Sequence, residues 1–190
     1  SKLATIPAVG GRPDIFRETE VSTRIAWAPA PRIAYEVPGN RNFRVLDPAT
    51  RLEKPLVPGD EYGWMFNLVF SPDGARVAVL WNRGRERGIW LMSVSDTSRV
   101  KLVDGSWLPT GWSADGRSVY ALATGDSVYW RIPVDGGKGV PVPPPEARGM
   151  ACAPYERPEG LVWLCTERVV ISDVWVIEDF DPDDAPGRRE

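Results

Sequence analysis

Histidine is absent from this chain of 190 residues. That excludes Ser-His-Asp and Cys-His catalysis, histidine general bases and histidine-ligated metals. Cysteine is nearly absent too. Only Cys152 and Cys165 occur, with no CxxC pair, so neither a disulfide-rich scaffold nor a cysteine-based zinc site is expected. The two are expected on neighbouring strands of one blade, not clearly opposite each other, and read first as buried free thiols. A disulfide between them would instead mark an oxidising compartment. No run approaches the roughly 20 apolar residues that span a bilayer, and no basic-then-apolar leader opens the chain. Membrane insertion is therefore not expected, and the compartment stays open between periplasm and cytoplasm. Basic charge is not in excess. Lys and Arg number 23 against 26 Asp and Glu, which argues against a nucleic-acid surface. Also missing are a P-loop, a GxGxxG and a GxSxG elbow. No window holds a 3.6-residue apolar period, so little or no helix is expected.

What the chain does have is repetition. Apolar residues make up 43%, and 18 Gly and 19 Pro punctuate them, a pattern of short elements joined by turns. Four segments share one layout, anchored at Trp27, Phe70, Trp112 and Cys152, with spacings of 43, 42 and 40 residues. Each anchor ends a first strand. A turn follows, then a β-rich run, a polar loop and another β-rich run. The second strands are expected at 32–37, 76–81, 118–123 and 161–167, and the third at 43–47, 89–94, 128–134 and 174–180. Val, Ile, Trp, Tyr and Leu dominate these runs and suit a pleated, half-buried surface. Asp73-Gly74 and Asp115-Gly116 supply the positive φ of tight turns. The fourth repeat is expected to replace that turn with a longer loop from Ala153 to Gly160. Weaker fourth strands are expected at 52–57, 100–103 and 139–142.

The last repeat lacks such a strand, and the run Leu3 to Val9 has no repeat of its own. The surplus at one end matches the deficit at the other, so the N-terminal strand is expected to close the last sheet. Residues 1–20 read as this N-terminal segment, 21–180 as the repeat domain and 181–190 as an acidic, polar tail.

A unit of about 42 residues with four strands matches one blade of a propeller. The run from Phe70 to Leu80 with Gly88 to Val94 resembles the WD40-like repeat of TolB-type β-propellers, and Trp112 to Tyr120 with Val128 to Arg131 is similar to a second copy. The aromatic of the third strand recurs as Trp90, Tyr129 and Trp175. The resemblance implies an all-β propeller of about four four-stranded antiparallel blades. The ending from Ser172 to Pro182 is similar to that of sensor propellers fused to bacterial kinases or regulators. Four blades are the low limit for a propeller. A closed four-bladed ring, two chains sharing a larger ring and a piece of a longer propeller all fit.

Strands alternate in direction within a blade, so the loops between second and third strands share a face with the loops between blades. That face collects Tyr62, Trp64 and Trp107 with Arg83, Arg85 and Arg87. Aromatics and arginines are the usual anchors of interfaces, and the face is expected to bind a protein or peptide. Blade packing explains Trp27, Trp90, Trp112 and Trp175 before any stacking role does. The prolines at 141–145 read as a stiff link between blades, and the acidic residues at 178–184 read as a solvated tail rather than a calcium site. No catalytic set, metal site or cofactor is expected. The functional expectation is a non-catalytic protein- or ligand-binding module, of the kind that serves as the sensor or interaction domain of a larger bacterial protein. The alternatives are the accessory propeller of a peptidase or other enzyme and a structural repeat unit in an assembly.

Overall fold

The computed structural model describes residues 2–18, 24–28, 31–59, 63–96, 98–143, 151–157 and 159–166. All regular structure among them is β. The first complete sheet comprises β3 (Ile25–Ala28), β4 (Arg32–Glu36), β5 (Phe43–Leu46) and β6 (Glu53–Pro55). The second comprises β7 (Trp64–Phe70), β8 (Arg76–Arg83), β9 (Glu86–Ser93) and β10 (Arg99–Asp104). The third comprises β11 (Trp107–Trp112), β12 (Ser118–Ala123), β13 (Tyr129–Pro133) and β14 (Val140–Val142). Each is a four-stranded antiparallel meander in chain order. Two-stranded ribbons flank them: β1 (Leu3–Thr5) with β2 (Asp14–Arg17), and β15 (Ala151–Arg157) with β16 (Gly160–Thr166).

The turns explain why the second and third sheets were the clearest in sequence. The Ser71 hydroxyl donates to Asp73 Oδ1 at 2.5 Å and accepts from the Arg76 amide at 2.9 Å. Ser113 repeats this with Asp115 at 2.6 Å and the Ser118 amide at 2.8 Å. Gly74 and Gly116 take φ of 69° and 67°, where a side chain is unfavourable. Both serines are buried, so the turn polar groups are satisfied internally rather than by water.

Sheets stack face to face. The interface of the first and second holds Phe43, Val45, Met65, Val79, Trp81 and Met92 among others. That of the second and third holds Ala78, Ile89, Leu91, Trp112, Val119 and Ile132. Side-chain bonds repeat with the blades. Arg32 reaches the Gly74 carbonyl, and Arg76 reaches the Gly116 carbonyl at 2.9 Å. Trp112 Nε1 donates to the carbonyl of Val69 on the preceding inner strand at 3.1 Å.

The structure corrects four sequence expectations. Residues 151–157 form a strand, not the start of a long loop, and Arg157 pairs with Gly160 across a short turn. The residue equivalent to Phe70 and Trp112 is therefore Glu156 rather than Cys152. It faces the third blade, accepting from the Tyr120 hydroxyl and, at 2.8 Å, from the Ala114 amide. This shift of register sets Cys152 directly opposite Cys165, and the two form a disulfide. Trp90 aligns with Trp130 rather than Tyr129, since they face Val79 and Ala121 in register. Finally, Leu3–Thr5 has a partner near it in the chain: it pairs with Asp14–Arg17, and with neither described strand of the last sheet. The ribbon lays Leu3 and Phe16 on Ile33, Tyr35 and Leu46 of the first blade. The expected third strand at 174–180, Trp175 and the acidic tail lie outside the described residues.

Candidate functional site

Alternation of strand direction places the start of β7, the end of β8, the start of β9, the end of β10 and the start of β11 on one face. Trp64 pairs with Asn82, and Asn82 with Arg87, so these lie side by side. The Gly105 amide donates to the Arg87 carbonyl at 2.9 Å and brings the loop before Trp107 alongside. The expected face thus exists, but its residues have different fates. Arg85 and Arg87 are exposed, and Trp64 is 38% exposed. Arg83 instead lies over Trp81 at 4.4 Å and Trp90 at 5.6 Å from the ring centroids, covering two buried indoles. Trp107 donates Nε1 to the Asp104 carbonyl at 2.8 Å and packs edge-on against Trp130 at 6.1 Å. Both are committed to the fold. Tyr62 lies outside the described residues. The segment 82–87 is also tighter than a long loop: the strands run on to an Arg83–Glu86 pair, leaving a two-residue turn. Gly84, at φ 67°, opens that turn, as a type II′ hairpin requires.

Sequence reasoning missed the first blade's contribution. The loop from Val37 to Asn42 lies on the same face and carries Arg41, whose guanidinium sits 5.5 Å from the Trp64 ring centroid. The Met65 amide donates to the Arg41 carbonyl at 3.1 Å. Asn42 donates to the Val57 carbonyl at 2.7 Å, and the Asn42 amide donates to Asn40 Oδ1 at 3.1 Å. The loop is therefore braced from within and from the second blade. Gly63 completes the brace: a Cβ there would lie 2.0 Å from the Asn82 carbonyl oxygen, so only glycine admits the approach that sets Trp64 in place. A cavity of about 760 Å³ opens beside this pair, with Arg41, Arg44 and Asn40 at its polar side and Phe43, Pro55 and Val57 at its apolar side. The readable signal was Pro38-Gly39-Asn40, a turn at the place equivalent to residues 82–87.

Arg44 ties the cavity to an ionic cluster. Its Nε donates to Glu53, which also accepts from the Tyr35 hydroxyl and, at 2.7 Å, from Arg17. Burial opposes ionisation of Glu53, but the hydrogen bonds from Arg17 and Tyr35 and the charges of Arg44 and Arg17 outweigh it and hold the carboxyl below its usual range. Burial, reinforced by the neighbouring Glu53 carboxylate, pushes Tyr35 up to about 12. Burial and Glu156 likewise raise Tyr120. Asp73 and Asp115 are lowered, first by their serine hydrogen bonds. All these shifts lead away from neutrality, so these groups are fixed in charge rather than poised to transfer protons near pH 7.

A second concavity follows the inner strands. About 370 Å³ in volume, it is lined by Ile25, Asn67, Pro109, Thr110 and Ala153 among others, one or more from each successive inner strand. Asn67 is exposed at a bulge of β7 with φ 49°, a left-handed conformation that asparagine tolerates better than most residues.

Radially successive four-stranded meanders with their first strands innermost define a β-propeller fold. It is the fold of TolB and of the nidogen propeller. The chain matches a putative TolB from Agrobacterium tumefaciens with a TM-score of 0.58 and 18% identity, over 73% of this chain and 55% of that one. TolB from Acinetobacter baumannii matches with a TM-score of 0.59 and 17% identity, over 84% and 44%. A chain of the nidogen/laminin complex matches with 0.60 and 14% identity, over 86% and 64%. The chain thus spans about half the length of the TolB structures. Enzymes are among the structural matches as well. No protein-family model and no curated protein matches the chain.

Proposed function

We propose that this propeller is a non-catalytic binding module that captures a protein or peptide on the face formed by the loops at 37–42, 57–59 and 83–87. The observation that carries this reading is the exposed Arg41–Trp64 pair, whose Arg41 also lines a cavity of about 760 Å³. An aromatic ring and a guanidinium are the side chains that most often dominate interface energies, and a cavity with both polar and apolar walls suits a side chain carrying each. The braced loops supply a pre-organised surface, which lowers the ordering cost of association. Titratable groups displaced from neutrality support a binding role over acid–base chemistry. The nidogen match comes from a complex with laminin, and it serves here as fold-level analogy.

The test is selection from a displayed random-peptide library against the chain. Selected peptides should lose at least tenfold in affinity for the W64A/R41A variant, while its melting temperature stays within a few degrees of the parent. Peptides that bind the variant and the parent equally would overturn the assignment of the face.

A further inference from the structure

The blade interfaces follow one pattern, and the first blade lacks half of it. In the second and third blades, the last inner-strand residue on the face toward the preceding blade is covered. Phe70 packs against the first interface, and Trp112 is 8% exposed. Trp27 is the equivalent residue, paired with Ile33 as Phe70 is with Val77 and Trp112 with Val119. Trp27 is 55% exposed, and Ile25 on the same face is 51% exposed. The ribbon of β1 and β2 does not reach them. It lies over β4, β5 and β6, where Leu3 meets Ile33, Tyr35 and Leu46 and Arg17 meets Glu53. It therefore occupies the outer half of a preceding blade and, among the described residues, leaves Ile25 and Trp27 of the inner half exposed.

The other end of the stack presents an inner half-blade. In the β15–β16 ribbon, Glu156 and Trp163 face the third blade, the first through Tyr120 and the second by ring contact with Tyr129 at 4.7 Å. By alternation, Tyr155, Val162 and Leu164 face the opposite way. Tyr155 is 52% and Leu164 57% exposed. The corresponding face of the second blade carries Ala78, Ile89 and Leu91, and the third blade buries it. Among the described residues, β15–β16 thus offers two inner strands with an apolar outward face, and β1–β2 lies beside an exposed apolar notch at Ile25 and Trp27.

We propose that the notch at Ile25 and Trp27 receives the β15–β16 ribbon of a second copy of this chain. Two copies, head to tail, form a ring in which each junction stacks the outward face of β15–β16 from one copy on Ile25 and Trp27 of the other, beside that copy's β1–β2 ribbon. The register assigns a hydrogen bond as well. Trp112 donates to the carbonyl of Val69, the residue before Phe70. At the junction, the equivalent donor is Trp27 Nε1, and the acceptor is the carbonyl of Tyr155 in the second copy. A second copy is the occupant favoured because the junction continues the interface already repeated between blades. A contact between unlike surfaces closes only when the rotation per copy divides the circle, and two copies set that rotation at a half-turn. The inference is independent of the loop face, which lies at the strand ends rather than on the sheet faces.

The test is the mass of the intact chain in solution, by light scattering over a dilution series, for the parent and for Trp27→Asp and Leu164→Asp. The parent should have twice the mass of one chain, and each variant should have the mass of one. Because both positions are exposed in the single chain, the variants should keep the parent's far-ultraviolet dichroism and a cooperative melt. An equimolar mixture of the two variants should regain dimer, since one notch and one ribbon remain intact in the pair. A monomeric parent would overturn the proposal and leave the notch to a different protein or a further part of a longer polypeptide. Open-ended polymers would overturn closure at two copies. Dissociation by Trp27→Asp but not by Leu164→Asp would point to a symmetric Trp27 contact and overturn the head-to-tail junction.

Discussion

Glu53 shows how a single residue joins two elements. It gathers Arg17 from β2, Tyr35 from β4 and Arg44 from β5 on one carboxylate. Its side chain is 21% exposed, so its removal strands partly buried cations rather than merely losing a surface pair. Glu53→Gln should lower unfolding stability by about 2–3 kcal/mol in urea melts. The folded-state pKa of Glu53 is depressed. Its contribution is therefore present above the unfolded carboxyl pKa of about 4.3 and is lost as pH falls through the lower folded value. The acid limb of stability against pH should be shallower in the variant, and equal limbs would count against this role. Tyr35 acts at the other extreme. Its pKa is raised to about 12 in the fold, so its contribution is intact below the unfolded value of about 10 and fades as pH rises through the folded one. Phenolate absorbance should show tyrosines titrating late, one fewer of them in Tyr35→Phe.

Elements differ in how plainly the sequence announced them. The second and third blades were legible because Ser-x-Asp-Gly turns fix both φ and hydrogen bonding locally. The fourth was misregistered because Glu156 stands where the other blades place an apolar residue, so apolar pattern alone fell on Cys152. The same slip hid the disulfide, since opposition of two cysteines depends on strand register and not on their spacing. The loop face followed from strand alternation, which sets Trp64, Asn82 and Arg87 side by side. The use of each side chain was not readable, because nothing local says that Arg83 turns onto Trp81 while Arg85 stays in solvent. At this scale the serine turn predicts its own energetics. Ser113→Ala would leave the buried Ser118 amide without the acceptor it now has at 2.8 Å, a loss of about 1–3 kcal/mol. An exposed serine such as Ser95 should change by less than about 0.5 kcal/mol. The two are compared by thermal unfolding of the single variants.

At the scale of the molecule, the extensive packing among the described residues runs between successive sheets, so stability behaves as a chain of blade terms and interface terms. A defect in the middle should then spread further than one at an end. Trp81 is fully buried in the first interface, edge-on to Trp90 at 5.5 Å. Trp81→Ala should cost about 3–5 kcal/mol and speed amide exchange on both sides of the gap, from β4 through β12. The Cys152–Cys165 disulfide closes a loop with a sequence separation of 13, for which chain entropy gives about 3 kcal/mol. Replacing both cysteines by serine should release a similar energy, but confine the faster exchange to β15, β16 and the face of β11 that meets them. Hydrogen exchange read peptide by peptide separates the two patterns. Uniform loss of protection in both variants would mean that the blades unfold as one unit, because nearest-neighbour coupling then exceeds what any single blade can lose alone.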